Sequence, residues 1–106
     1  MTPNYKRPFR EFVRKAHRPL QLAIEDQVEA VCDDPAVGQA KVGDLAGIRV
    51  HKFRFNRQEY LMAYRPSTAR HVAEGIDILL IDFYQVGAHE NFYDALKKYL
   101  RAERNA

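Results

Sequence analysis

The chain has 106 residues, 46% hydrophobic and 11% aromatic, which suits one domain with one core and excludes a disordered chain. No apolar run approaches the roughly 20 residues that a membrane helix needs. No apolar signal core opens the sequence, and the single cysteine, Cys32, leaves no partner for an internal disulfide, so a cytoplasmic protein with no membrane contact is expected. The formal net charge of +3 is unevenly placed, with basic segments at 6–18, 49–57 and 97–104 and an acidic one at 25–34. Three basic segments converging in space would make a polyanion-binding surface.

From the N-terminus, Phe9, Phe12, Val13 and Ala16 fall at helical spacing and predict a short helix over 9–16. Pro19 suits the first turn of a second helix. Leu20, Ala23, Ile24, Val28 and Val31 continue it, and Asp33, Asp34 and Pro35 end it. Two antiparallel helices joined by a tight turn are expected, their apolar faces covering a sheet. Residues 36–47 are glycine-rich and irregular, with Gly38, Gly43 and Gly47 at turns and Leu45 as an anchor into the core. The hydrophobic period then changes to two. Residues 48–56 and 59–65 read as strands joined by a short polar turn around Asn56, Arg57 and Gln58. Residues 66–75 read as a loop, and 76–84, the most apolar segment, as a central strand in which one of Phe83 and Tyr84 is core. Phe92, Ala95, Leu96, Tyr99 and Leu100 share one face of a closing helix over 91–104. The fold class is α+β, a single domain over 1–106.

Strand parity separates the residues that carry chemistry from those that pack. Lys52 and Arg54 point to one face of the first long strand and Phe53 and Phe55 to the other. Pairing around the short turn sets Leu61, Ala63 and Arg65 beside the cations, and sends Tyr60, Met62 and Tyr64 to join the phenylalanines in the core. The product is a small cationic floor, walled by the C-terminal segment and suited to phosphate. That wall begins with Gly87, Ala88, His89, Glu90, Asn91, Phe92 and Tyr93, which bring an imidazole, a carboxylate and a phenol within one turn. His89 is the general acid or base of choice, because an imidazole titrates near neutrality. Glu90 is expected to cap the helix or bind backbone amides, since neighbouring helical positions do not face each other. His51 should face away from Lys52, as a core or edge histidine, while His17 and His71 are solvated. The four histidines show no metal-ligand spacing, and Cys32 has no evident catalytic partner.

The run Lys41-Val42-Gly43-Asp44-Leu45-Ala46-Gly47-Ile48-Arg49-Val50, a hairpin ending Tyr60-Leu61-Met62-Ala63-Tyr64-Arg65, an apolar strand and the closing Gly87-Ala88-His89-Glu90-Asn91-Phe92-Tyr93 together resemble the RelE/ParE toxins of bacterial type II toxin–antitoxin systems, most of all a RelE-like subgroup. The resemblance covers residues 23–100. It implies a helical hairpin packed on a twisted antiparallel sheet of about four strands with a C-terminal helix, a microbial-ribonuclease-like shape. It further implies ribosome-dependent cleavage of messenger RNA by attack of the 2′-hydroxyl, with no metal or other cofactor. Lys52 and Arg54 match the paired cations of the RelE hairpin, His89 stands where RelE has an arginine, and Tyr93 lies near its C-terminal tyrosine. Arg49, Arg57, Arg65 and Lys97 are further candidates for phosphate contact. One position departs from the pattern: RelE has an arginine on the second hairpin strand where this chain has Leu61.

The implied partners are the ribosome, messenger RNA and a cognate antitoxin with a helix-turn-helix DNA-binding domain, joined to the toxin in a hetero-oligomer. The same family also holds ParE-type inhibitors of DNA gyrase without nuclease chemistry, and toxins that act only as antitoxin-bound corepressors. Fold alone does not choose among these.

Overall fold

The structure, a computed structural model, describes residues 2–71 and 77–105. In chain order it contains β1 (Thr2–Tyr5), α1 (Arg7–Lys15), α2 (Arg18–Asp33), β2 (Gln39–Ala40), a 3-10 turn (Gly43–Leu45), β3 (Arg49–Phe55), β4 (Gln58–His71), β5 (Asp77–Ala88) and α3 (Phe92–Arg104). The sheet runs in the order β1-β5-β4-β3-β2. β1 is parallel to β5, and the other neighbours are antiparallel. The α+β class stands, but the sheet is mixed and five-stranded rather than antiparallel with about four strands.

Beyond the three strands read from the residue pattern, β1 and β2 are short and carry no alternating apolar pattern. β1 holds Pro3, tolerable because an edge strand can lack one donor. Asn4 Nδ2 donates to Asp82 Oδ1 at 2.7 Å and Lys6 N to the Phe83 carbonyl at 2.8 Å, which fastens this edge before Pro8 enters the first turn of α1.

Nor do the N-terminal helices form a clear hairpin. Ala16 (φ −74, ψ 149) and His17 (φ −70, ψ 159) are both extended, and two extended residues redirect the chain between helices. α1 packs on β5, whereas α2 packs on β3 and β1.

β4 continues through Pro66 to His71, where a loop is expected from the sequence. The last β3–β4 pair is Arg49 with Tyr64. Beyond it β4 has a partner only on the β5 side, so the donor missing from Pro66 is not needed by β3. Residues 72–76 and the His71 side chain lie outside the described residues, so the rest of the expected loop and the solvated His71 do as well. β5 runs four residues past its expected end at Tyr84, to Ala88. Phe83 (0% exposed) and Tyr84 (2%) are both core, on opposite faces, because the sheet is covered on both sides.

On one face, Phe9, Leu20, Ile24, Val28 and Val31 of α1 and α2 close over Phe53, Met62, Tyr64, Ile81, Phe83 and Val86. On the other, Phe92, Leu96 and Leu100 of α3 cover Val50, Leu61, Ala63 and Tyr84, joined by Leu45 and Ile48. Leu45 is the expected anchor. At the α2 end the buried Tyr64 hydroxyl donates to the Pro35 carbonyl at 2.7 Å and accepts from Gly38 N at 2.9 Å. A Cβ on Gly38 would stand 2.7 Å from that oxygen, so glycine is needed there for space rather than for a turn. Gly43 (φ 64) and Gly47 (φ 89) do turn the chain, in the left-handed region.

Candidate functional site

The β3–β4 hairpin closes on Asn56 (φ 49) and Arg57 (φ 68). Positive φ at both central residues defines the type I′ turn, whose twist matches that of paired strands. This tight closure fixes the register: Lys52 opposite Leu61, Phe53 opposite Tyr60, Arg54 opposite Glu59. As the parity predicts, Phe53 and Phe55 lie under α1 and α2, and Lys52 and Arg54 stand exposed on the α3 face. Arg54 steadies itself by donating from Nη2 to the Arg57 carbonyl at 3.3 Å.

Register also says what stands beside the cations. Leu61 pairs on its other side with Gly87, and Tyr60 with Ala88, so the row holding Arg54 and Glu59 points to where His89 leaves β5. The backbones of Arg54 and His89 are thus about two strand spacings, roughly 10 Å, apart. Leu61 is fully buried and shares a cluster with Phe92 and Leu96. The position where RelE carries an arginine is core in this chain, and a guanidinium there would be buried under α3 without a partner.

His89 is exposed in the turn before α3, and Asn91 takes a left-handed conformation (φ 59) to start the helix. The expected cap is absent: α3 begins without a side-chain cap, and Glu90 is exposed. The His89 ring lies edge-on to Tyr93 with centroids 6.0 Å apart. Tyr93 is half-buried, packed edge-on to Phe92 at 5.4 Å, and the Lys41 ammonium sits 5.3 Å from its ring centroid. Tyr93 therefore bridges an imidazole arriving from β5 and a cation arriving from beyond β2.

The remaining candidate cations divide. Arg57 is at the hairpin tip, beside Arg54. Arg49 faces the other side of the sheet, where Nη1 donates to the Gly38 carbonyl at 2.7 Å and the Ala36 carbonyl at 3.3 Å; it holds the loop after α2. Arg65 is on the α3 face but toward the far end, its guanidinium 5.5 Å from the Tyr84 ring centroid. Lys6 stands 5.6 Å from the same centroid and pairs with Glu103 at 3.3 Å. Burial above all pushes the Tyr84 hydroxyl up to about 12, so this phenol stays protonated. Lys97 lines a cavity of about 150 Å³ with Asp44, Arg101 and Arg104. The structure brings Lys52, Arg54, Arg57, His89 and Tyr93 to one end of the sheet and leaves Arg49, Arg65 and Lys97 elsewhere.

Two residues beside this group went unnoticed in the sequence. Lys41 carries no pattern signal and reaches Tyr93 only because β2 sets it at the sheet edge. Glu59 reads as a strand start, yet the two-residue turn places it directly across from Arg54. His51 faces the α2 side as expected; its Nε2 hydrogen-bonds Gln27 Oε1 at 2.6 Å, and burial pulls its pKa down. Cys32 is half-buried. Among the described residues no set of three His, Cys, Asp or Glu side chains could hold a metal ion, and no helix is long and apolar enough to cross a membrane. The larger cavities lie elsewhere, one of about 400 Å³ between α1 and α2 and one of about 570 Å³ between α1 and β5.

Compared with models of protein families, residues 4–97 match the one described as ParE-like toxin of type II bacterial toxin-antitoxin system. Nothing among curated proteins or solved structures matches the chain.

Proposed function

Because the chain belongs to the ParE-like toxins of type II bacterial toxin–antitoxin systems, whose partner is an antitoxin, we propose that it is an endoribonuclease that cleaves messenger RNA at the ribosome. The observation that carries this reading is the meeting of an imidazole, a phenol and exposed cations at one end of the sheet, with His89 against Tyr93 and Lys41 over the same ring. The 2′-hydroxyl oxygen attacks phosphorus and loses its proton to a base, the bond to the 5′-oxygen breaks, and that oxygen takes a proton from an acid. A 2′,3′-cyclic phosphate and a 5′-hydroxyl result.

His89 is the proton-transfer group in this scheme, and Glu59, on the same face as Arg54, is the carboxylate that can complement it. Lys52 and Arg54 hold the phosphate and stabilise charge as it develops, Arg54 with planar paired donors. Tyr93 offers a ring on which a base can stack, worth about 1–3 kcal/mol. Arg57 adds charge at the hairpin tip, and the ribosome supplies further RNA surface for a basic protein to dock on.

The burial of Leu61 favours a second reading, inhibition of DNA gyrase as in ParE-type toxins, because it removes one phosphate-binding cation from the nuclease pattern. Induction of the toxin in cells, with messenger RNA 5′ ends mapped for wild type and His89→Ala, separates the two. Cleavage in phase with codons that disappears in the variant supports the nuclease. Intact messenger RNA with broken or relaxed DNA overturns it.

A further inference from the structure

The two N-terminal helices carry charge of opposite sign. On α1, Arg7, Arg10 and Arg14 recur at i, i+3 and i+7, and all are exposed. On α2, Glu25, Glu29 and Asp33 recur at four-residue intervals with Asp26 beside them, all exposed, and no cation follows Arg18 in that helix. Like charges four residues apart repel, so the acidic stripe works against the helix that bears it. Between the stripes lies the cavity of about 400 Å³, lined by apolar side chains such as Phe9, Val13 and Ile24 and bordered by Arg10 and Arg14 from α1 and by Glu25 from α2. The groove keeps these charges apart. The ion pairs among the described residues are Lys6 with Glu103 and Arg14 with Glu11, so the four α2 carboxylates have no cation of their own chain beside them. Apolar surface is left in water here too: Tyr5, which lines the groove, is 36% exposed, and Leu22, one turn before Asp26, is 45% exposed.

We propose that this face joins two copies of the chain in a two-fold dimer, the basic stripe of each α1 lying over the acidic stripe of the other copy's α2. A two-fold axis in the plane of contact and along the groove sets α1 of one copy over α2 of the other without changing height along the groove. Arg10, Arg14 and Glu25 border one cavity and so share a height. The dimer therefore sets Arg10 and Arg14 against Glu25 of the partner subunit, and the symmetry repeats the pairing. An axis across the groove would instead set arginine over arginine, so the charges select one arrangement. The two grooves then face each other and close into a shared apolar layer, helix pair on helix pair, which takes Tyr5 and Leu22 out of water. Because α1 and α2 cover the face of the sheet opposite Lys52 and Arg54, the dimer presents two cationic strips outward, back to back. The inference stands apart from the nuclease reading and holds whichever target the toxin has.

The test is sedimentation equilibrium of the full chain by itself, with no reading of RNA cleavage. Wild type should dimerise, and raising the salt from about 0.05 to about 0.5 M, which shortens the screening length roughly threefold, should weaken the dimer by about tenfold. Two charge-reversed variants follow, Arg10→Glu with Arg14→Glu and Glu25→Lys with Glu29→Lys. All four positions are exposed, so circular dichroism of each variant should match wild type. Alone, each variant sets like charges against each other on both sides of the two-fold and should dimerise about tenfold or more weakly. Mixed in equal amounts they face each other with opposite charges on both sides, and association should return to within about threefold of wild type. Wild type that stays monomeric at every concentration and salt, dimerisation indifferent to either reversal, or a mixture that associates no better than its components overturns the proposal.

Discussion

The two faces of the sheet are closed by different numbers of helices, and β3 shows what that does to a sequence. Under α1 and α2 its residues are His51, Phe53 and Phe55, each buried or half-buried. Under α3 they are Val50, Lys52 and Arg54, of which only Val50 is covered. One helix spans less of a sheet than two, so the strip nearest the hairpin tip is left in water on one side only. The charges occupy that strip. A candidate site arises here from incomplete coverage, with no cavity needed to define it.

The contrast breaks most severely at Leu61, the last residue of the α3 face that is fully covered. Leu61→Ala should cost about 2–5 kcal/mol, from lost transfer energy and the space left under α3, seen as a lower urea midpoint with unchanged slope. Leu61→Met should cost less than about 1.5 kcal/mol. Leu61→Arg, which would restore the RelE cation, should be worse than alanine, because it drives a charge beneath Phe92 and Leu96. If the arginine variant is as stable as wild type, α3 does not seal this face and the comparison fails.

A smaller effect probes the other face. The Tyr64 hydroxyl is the hub between Pro35 and Gly38. Tyr64→Phe leaves the half-buried Pro35 carbonyl and the buried Gly38 N–H without their partner, so a loss of about 1–3 kcal/mol is expected. Tyr64 and the hairpin cations lie on opposite faces, so phosphate or RNA affinity of the folded variant should be unchanged; a parallel loss would mean the faces are coupled.

At the hairpin tip stability and binding are set against each other. Arg57 holds φ 68, a left-handed conformation costing a side-chain residue about 1–2 kcal/mol that glycine avoids. Arg57→Gly should raise stability by about 1 kcal/mol and weaken RNA binding, with a shallower dependence of affinity on salt. An unaltered salt slope would remove Arg57 from the interface.

Legibility followed the same division. The hairpin, its turn and the separation of Lys52 and Arg54 from Phe53 and Phe55 could be read from period two, because every residue there obeys one local rule. β1 and β2 could not: four residues around Pro3 and two before Lys41 owe their pairing to strands elsewhere in the chain. Pro66 misled for a related reason, since whether a proline ends a strand depends on where its neighbour stops. The site was half visible. Lys52, Arg54, His89 and Tyr93 stood out by type and parity, whereas Lys41 and Glu59 join them only through register across the sheet, and Arg49 leaves because the α2 loop needs its donors.

The smallest expected effect concerns His51, on the covered face of the same strand. Burial lowers its pKa, so the folded protein takes up its proton at lower pH than the unfolded chain, which titrates near 6.5. Between those two values the unfolded state binds more protons, and stability therefore rises with pH. Above about pH 6.5 this contribution is fully present; it is lost as pH falls toward the folded value, below which the slope vanishes. Denaturation at a series of pH values should show the slope in wild type and a flatter line in His51→Gln. A variant slope equal to that of wild type would place the acid sensitivity in some other group. A change confined to His51 would place the acid sensitivity on the covered face of β3, opposite the one from which Lys52 and Arg54 stand exposed.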